Sequence, residues 1–109
     1  MTNIVAVFLI AITQVENTPH NPYGLTSAAI ACVNRNYATS YTRADRRRPE
    51  RAKEIVIRYL SIYHPKYGPF NPMTAGRIIY GGPRGPSKRC TRDYGQRVDN
   101  LVQAMLEGS

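Results

Sequence analysis

Apolar residues recur along most of this chain at the three- and four-residue spacing of helices, and the sequence contains no strand-length run that alternates apolar and polar residues. Residues at the first spacing form one face of a helix, whereas alternation would form one face of a strand. Turn residues divide the chain into five such segments. The pattern predicts an all-α fold with about five helices around a central apolar helix.

The first and third segments predict two different kinds of helix. Residues 3–14 are apolar nearly all round, which is typical of a helix in the middle of a core. The segment that starts at Pro49 is amphipathic instead, because its charged residues, including the i,i+4 pair Glu54 and Arg58, lie opposite its apolar ones. The apolar face consists of Ala52, Ile55, Val56, Tyr59, Leu60 and Tyr63.

Cap and turn residues predict the other three helices, over about residues 26–34, 71–81 and 91–106. Thr26 or Ser27 can provide the N-cap of the second helix. Asn71 followed by Pro72 is typical of a helix start, because proline lacks an N–H that would find no partner there. Gly108 ends the last helix.

Composition limits the class of protein. With 109 residues, of which 42% are hydrophobic and 20% charged, the chain is predicted to form a single folded domain over residues 1–109. Cys32 and Cys90 are too few for a disulfide scaffold, and with His20 and His64 they show no zinc-ligand spacing. We therefore predict no metal and no cofactor. We expect both cysteines to be buried thiols, although an exported chain could pair them, and both histidines to be exposed in loops.

The apolar run of residues 4–15 is too short for a membrane span. As a helix it covers about 18 Å, against roughly 30 Å of hydrocarbon in a bilayer. No lysine or arginine precedes it, and Glu16 rather than a small-residue cleavage site follows it, so we do not predict a signal peptide. We interpret the run as a buried helix of the mature fold.

Positive charge favours anionic partners. Lysine and arginine number 15 against 7 acidic residues, which gives a formal net charge of +8. The resulting field attracts polyanions, whether nucleic acid, acidic lipid or the anionic polymers of a bacterial cell wall, and it does not choose among them.

Glu16 is the acidic residue in the least polar surroundings along the chain. It follows twelve mostly apolar residues and stands at the C-terminal end of the predicted core helix. Burial and the negative end of the helix dipole both favour the protonated carboxylic acid. Cleavage of a glycosidic bond needs such an acid, because the leaving sugar oxygen must receive a proton. The alternative is a glutamate that only reaches the surface where the helix ends.

Short motifs follow one another in a definite order between residues 4 and 98. They are Gln-Val-Glu-Asn at 14–17, Tyr-Gly at 23–24, Asp-Arg-Arg at 45–47, Tyr-Leu at 59–60, Ala-Gly-Arg-Ile at 75–78, Gly-Gly-Pro-Arg-Gly at 81–85, and finally Tyr94 and Val98. This order resembles the small lysozyme-like domain of lytic transglycosylases and goose-type lysozymes, especially the short single-domain forms of bacteria and phages. The resemblance implies a lysozyme-like fold and cleavage of the β-1,4 MurNAc–GlcNAc bond of peptidoglycan.

The resemblance also implies roles for individual residues. Glu16 is implied as the general acid, with Tyr23 and Gly24 in a turn beside it that contacts sugar or orients the acid. The other implied substrate-binding residues lie near the start of the second helix and the end of the fourth: Ser27, Ile79, Tyr80, Gly81 and Gly82. The Gly-Gly-Pro turn is expected to bring its segment close to Glu16.

Two residue pairs depart from the family pattern. Leu25-Thr26 stands where the family has a Gln-Ile pair, and Ile79-Tyr80 stands where it has an aromatic residue followed by Asn.

Asp45 is the candidate for a second acid, and a role as a cap or arginine partner is its alternative. Because relatives commonly cleave with one acid, the resemblance implies a 1,6-anhydro product, formed through the C6 hydroxyl and the N-acetyl group of the sugar, rather than hydrolysis.

Two other functions are compatible with the sequence. A nucleic-acid-binding module is favoured by the net charge and by five arginines near Tyr37 and Tyr41, namely Arg43, Arg46, Arg47, Arg48 and Arg51. A lysozyme-like scaffold without chemistry would instead serve a structural or interaction role, since scaffold similarity does not establish activity. On the enzymatic interpretation we expect a monomer whose partner is the glycan strands of peptidoglycan. It would act at the bacterial cell wall as a phage-encoded, virion-associated or exported protein.

Overall fold

Five α-helices make up most of the chain in the computed structural model, which describes residues 3–108. They are α1 (Ile4–Glu16), α2 (Ser27–Tyr37), α3 (Pro49–Tyr63), α4 (Pro72–Gly81) and α5 (Arg92–Glu107). Short 3₁₀ helices occur in the connections at Arg43–Arg47, His64–Tyr67, Gly85–Ser87 and Arg89–Thr91. No strand occurs in residues 3–108, so the prediction of an all-α fold is confirmed. Met1, Thr2 and Ser109, at the ends of the predicted domain, lie outside the described residues.

Hydrogen bonds at the helix starts follow the predicted caps. The side chain of Asn71 accepts hydrogen bonds from two backbone amides in the first turn of α4, at 2.9 and 3.2 Å. Thr26 rather than Ser27 caps α2, since its Oγ1 accepts a hydrogen bond from the backbone amide of Ala29 at 3.1 Å. α3 begins at Pro49, as predicted. The side-chain caps satisfy amides that a helix start otherwise leaves unpaired.

α4, not α1, occupies the middle of the molecule. α4 contacts α1, α3 and α5 as well as the neighbouring short helices, whereas α1 packs mainly against α5. α1 buries one face, which includes Phe8, Ala11 and Ile12, but Ile10 on the other side is 51% exposed. The prediction of an apolar helix surrounded by the core is therefore wrong for that side, because no helix within residues 3–108 covers Ile10. Neither α1 nor any other helix in residues 3–108 has the length and apolar content needed to span a bilayer.

Small residues let α4 and α5 pack closely around Arg77. A methyl group on Gly95 would lie 2.5 Å from Cγ of Arg77, and one on Gly85 would overlap the Arg77 carbonyl. Arg77 donates hydrogen bonds to Oγ1 of Thr91 at 2.8 Å and to the carbonyl of Lys88 at 2.9 Å. The Thr91 hydroxyl is fully buried and lies 2.6 Å from the carbonyl oxygen of Gly85, to which it donates. These contacts tie the segment between α4 and α5 to both helices.

The histidines and cysteines only partly match their predicted environments. His20 is exposed as predicted, but His64 is buried, and its Nε2 accepts a hydrogen bond from the backbone amide of Asn71 at 3.1 Å. The imidazole ring therefore acts as the hydrogen-bond acceptor of a backbone amide inside the fold. Residue spacing along the chain does not predict such a contact. Cys32 is buried as predicted, Cys90 is exposed, and both thiols are free.

Candidate functional site

Glu16 is the last residue of α1 and lies where the helix meets solvent. The chain leaves the helix through Asn17, which has a left-handed φ of 47° and whose amide donates to the carbonyl of Thr13 at 2.9 Å. Oγ1 of Thr18 donates to the carbonyl of Glu16, also at 2.9 Å. The Glu16 residue is partly buried. The end of α1 therefore presents a carboxylate at the boundary between core and solvent.

A tightly hydrogen-bonded turn precedes α2. The side chain of Asn21 spans the turn, since its Nδ2 donates to the carbonyl of Leu25 at 2.8 Å and its Oδ1 accepts from the amide of Leu25 at 2.9 Å. Nη1 of Arg46 donates to the same carbonyl at 3.2 Å. The amide of Gly24 donates to the carbonyl of Asn21 at 3.0 Å. Together these bonds hold the backbone of the turn in one conformation.

Gly24 brings this turn directly against the Glu16 carboxylate. A methyl group on Gly24 would lie 2.6 Å from Oε1, 2.7 Å from Cδ and 3.0 Å from Oε2 of Glu16. The φ of Gly24 is +64°, in the left-handed region that favours glycine. The backbone conformation therefore favours glycine at this position, and a side chain here would displace the Glu16 carboxylate.

Tyr94 of α5 places a buried hydroxyl near the same carboxylate. The hydroxyl oxygen has no hydrogen-bond partner of good geometry within residues 3–108. Burial, followed by the nearby Glu16 carboxylate, raises the pKa of Tyr94 well above its usual value, while the charge of Arg97 acts in the opposite direction. A buried polar group without a partner is costly. The Tyr94 hydroxyl can thus donate a hydrogen bond to Glu16 after a small movement of that side chain.

Tyr80 extends the site to the surface. Its ring stacks on the ring of Tyr94, with 4.6 Å between centroids and 19° between planes, and the residue is 56% exposed. Tyr80 lies near the end of α4, Tyr94 lies in the first turn of α5, and Glu16 ends α1. Three helix ends therefore combine an acid, a buried hydroxyl and an exposed aromatic ring.

The segment made of Gly81, Gly82 and Pro83 ends α4. A methyl group on Gly81 would overlap the side chain of Thr91, and one on Gly82 would come within 4.0 Å of the Tyr59 hydroxyl. Gly82 has a φ of +87°, a conformation that favours glycine. Both glycines pack closest to neighbours other than the predicted acid, and their place in a substrate groove stays a prediction.

Tyr23 and Ile79, expected among the substrate-binding residues, belong to the core instead, whereas a role of Tyr23 in orienting Glu16 stays a prediction. Both are buried. Burial, followed by the charge of Glu50 in α3, raises the pKa of Tyr23. Ser27 is exposed in the first turn of α2. Tyr23 and Ile79 therefore anchor the residues that follow them in the chain, because their own side chains face inward.

Asp45, the candidate second acid, is a cap inside the fold. It is 4% exposed, and its Oδ2 accepts a hydrogen bond from the backbone amide of Thr42 at 2.8 Å. Its Oδ1 lies 3.7 Å from Nη1 of Arg48. Both carboxylate oxygens are thus engaged at the 3₁₀ helix Arg43–Arg47, which matches the structural alternative for this residue.

Tyr94 is the site residue to which the sequence assigned no role. It lies on the apolar face of α5 with Val98 and Val102, where packing alone explains a tyrosine. The sequence feature that could have indicated a role is the hydroxyl itself, because a tyrosine on a buried face needs a polar partner. The identity of that partner emerges only from the packing of α5 on α1.

Comparison with known proteins assigns no family and no function to this chain. The chain matches no protein-family model, no curated protein and no solved structure. Function must therefore be inferred from the site.

Proposed function

We propose that this chain is a lysozyme-like glycosidase that cleaves peptidoglycan, with Glu16 as its general acid. The observation that carries the proposal is the contact of the Glu16 carboxylate with Gly24, beside the unpaired hydroxyl of Tyr94. The family resemblance pairs this acid with this turn. The exposed ring of Tyr80 supports the proposal further, since an aromatic face next to an acid can pack against a sugar ring.

The glycan is proposed to lie along the surface between the turn at Gly24 and the ring of Tyr80. Two hollows, of about 350 and 320 Å³, lie elsewhere in the described part of the molecule, and Glu16 lines neither. An open surface is compatible with a long polymer strand, which has to extend past the site in both directions.

Cleavage is proposed to use one acid, because Asp45 is engaged as a cap. The Glu16 carboxylic acid donates its proton to the glycosidic oxygen as the bond from this oxygen to C1 of MurNAc breaks. The C6 hydroxyl of the same sugar then bonds to C1, assisted by the N-acetyl group, and returns its proton to Glu16. The product is a 1,6-anhydro sugar, and no water is consumed.

Tyr94 is proposed to assist Glu16 during this step. When Glu16 has lost its proton, the carboxylate can accept a hydrogen bond from the buried Tyr94 hydroxyl, which has no other partner in the described residues. A donor held in place before the reaction stabilises the charge that develops during it.

The Glu16→Gln variant tests the proposal on purified peptidoglycan. Glutamine keeps the size of the side chain but cannot supply the proton, so clearing of a peptidoglycan suspension should fall by about 100-fold or more. The thermal midpoint should stay unchanged. Glu107→Gln removes the same charge from the exposed end of α5 and is the matched control, which should keep wild-type activity.

The products and the wild-type activity decide among the alternatives. Mass spectrometry should find glycan fragments that are lighter than hydrolysis products by one water. Clearing that survives Glu16→Gln would exclude this residue as the acid. A wild-type protein that clears no peptidoglycan would favour an inactive lysozyme-like interaction protein.

A further inference from the structure

A polar hollow of about 320 Å³ lies beside the C-terminal end of α2. Its rim is formed by residues 38–41, and its wall by Arg51, Glu54 and Arg58 of α3. None of these residues belongs to the Glu16 site.

Arg58 is held in a defined position within this hollow. Its guanidinium carbon lies 5.1 Å from the ring centroid of Tyr37 and 5.8 Å from that of Tyr41. Its Nη1 donates a hydrogen bond to the Tyr41 hydroxyl at 3.1 Å, and this hydroxyl donates to Oε1 of Glu54 at 2.6 Å. The i,i+4 pair predicted from the sequence is therefore bridged by a tyrosine. A guanidinium fixed in this way loses little conformational freedom when it binds a ligand.

Positive charge exceeds negative charge in the hollow. Arg51 makes no ion pair within the part of the chain that the structure describes, and the Glu54 carboxylate already accepts the Tyr41 hydroxyl. Burial and the bond to Glu54 raise the pKa of Tyr41, whereas the charges of Arg58 and Arg51 lower it. The charges of both guanidinium groups therefore reach the Tyr41 hydroxyl, and the single negative charge of Glu54 acts on it in the opposite direction.

The rim of the hollow is built by Asn34. Its Oδ1 accepts hydrogen bonds from the amide of Tyr41 and the hydroxyl of Thr39, both at 2.9 Å, and its Nδ2 donates to the carbonyl of Tyr41 at 2.9 Å. Ala38 adopts a left-handed φ of 52° to start the loop. The exposed Ser40 hydroxyl makes no hydrogen bond to the described residues and remains a free donor.

We propose that this hollow is a binding site for an oxyanion, a phosphate or carboxylate group, held between the guanidinium groups of Arg51 and Arg58. Guanidinium binds both kinds of group through two parallel N–H bonds. Ser40 supplies a neutral donor from the rim. Of the five arginines grouped near Tyr37 and Tyr41 in the sequence, Arg51 is the one that lines the hollow. The site is independent of the chemistry at Glu16.

Titration of the isotope-labelled protein with inorganic phosphate, followed by NMR at constant ionic strength, tests this site. Saturable shifts are expected at the amides of Ser40 and Tyr41 and at Nε–Hε of Arg58. A parallel titration with acetate distinguishes the two sources of the oxyanion. Saturation by phosphate alone assigns a phosphate-bearing ligand, and saturation by acetate alone assigns a carboxylate-bearing one. Saturation by both assigns a general oxyanion site.

Three substitutions separate a built site from general electrostatic attraction. Arg51→Ala should weaken binding by about tenfold, since one charge-assisted pair is lost. Arg89→Ala removes the same charge from an exposed position outside the hollow and should leave binding unchanged. Arg58→Lys, which keeps the charge but loses the planar group, should also weaken it. Equal effects of Arg51→Ala and Arg89→Ala, or the absence of saturation with either anion, would overturn the proposal.

Discussion

Gly24 is the residue at which one added methyl group tests the site most directly. We predict that Gly24→Ala lowers the free energy of unfolding by about 1–3 kcal/mol, because a side chain at a φ of +64° is strained. The methyl group would also stand 2.6 Å from Oε1 of Glu16 and displace the carboxylate. Chemical denaturation measures the first effect and a peptidoglycan-clearing assay measures the second.

Gly68→Ala is the control for backbone strain alone. Gly68 also has a positive φ, +103°, but open space surrounds the position of its added methyl group. This variant should lose a similar amount of stability and keep its activity per folded molecule. Equal losses of activity in the two variants would contradict a specific role for the contact between Gly24 and Glu16.

The residues of the site differ in how far the sequence could predict them. Glu16 could be predicted as a candidate because an acid after a long apolar run is unusual, and Gly24 through the family resemblance. Tyr94 could not be paired with Glu16, because only the packing of α1 on α5 brings them together. Tyr23 was predicted at the same surface and is buried, since position in a turn does not tell which side faces the core.

At the scale of elements, Thr91 joins α4, α5 and the connection between them. We predict that Thr91→Val lowers the free energy of unfolding by about 1–3 kcal/mol, because valine keeps the shape of threonine but cannot form the hydrogen bonds of its hydroxyl. Nε of Arg77 loses its acceptor, and the carbonyl of Gly85 keeps only the hydrogen bond from the amide of Lys88. Urea denaturation provides the measurement.

Thr18→Val is the matched control for this substitution. The Thr18 residue is exposed, and its hydroxyl donates only to the carbonyl of Glu16 within the described chain, where water can replace it. The change in its free energy of unfolding should stay within about 0.5 kcal/mol. A similar loss of unfolding free energy in both variants would show that the Thr91 hydroxyl contributes no more to stability than an exposed hydroxyl does.

Helix starts could be predicted because they depend on neighbours along the chain, whereas helix positions in space could not. Asn71 and Thr26 cap α4 and α2 as expected from residue type. α2 continues to Tyr37, past its predicted end near residue 34, because the chain first turns at the left-handed Ala38. The apolar pattern of α1 predicts which residues avoid water, but not which helix covers them, and Ile10 is left exposed.

At the scale of the molecule, buried tyrosines make the fold sensitive to alkali. Five of the eight tyrosines have raised pKa values, chiefly through burial; for Tyr63 the hydrogen bond to Cys32 comes first. The five are Tyr23, Tyr41, Tyr59, Tyr63 and Tyr94. The folded protein holds these protons to a higher pH than the unfolded chain does. Their contribution to stability is therefore complete below the usual pKa of 10.0 and is lost as the pH rises through the folded value.

We predict that the free energy of unfolding falls between pH 10 and pH 12, since burial and the neighbouring Tyr63 and Cys32 raise the pKa of Tyr59 from 10.0 to about 12. Urea denaturation across this range, with tyrosinate absorbance recorded in parallel, measures the fall. Tyr59→Phe should make it shallower. Tyr37 is 40% exposed, so Tyr37→Phe should leave the slope of the free energy of unfolding against pH unchanged. Constant stability up to pH 12 would refute this prediction.

Unequal burial of the two thiols gives the molecule one reactive sulfur at its surface. Cys32 is enclosed, with Sγ 2.9 Å from the hydroxyl of Tyr63, whereas Cys90 is exposed in the short helix Arg89–Thr91. During storage in air, two copies should couple covalently through Cys90, giving a band of doubled mass on a non-reducing gel that Cys90→Ser abolishes. The same sulfur can carry a dye or spin label just ahead of α5, so that motion at the start of this helix can be followed without engineering a new attachment point.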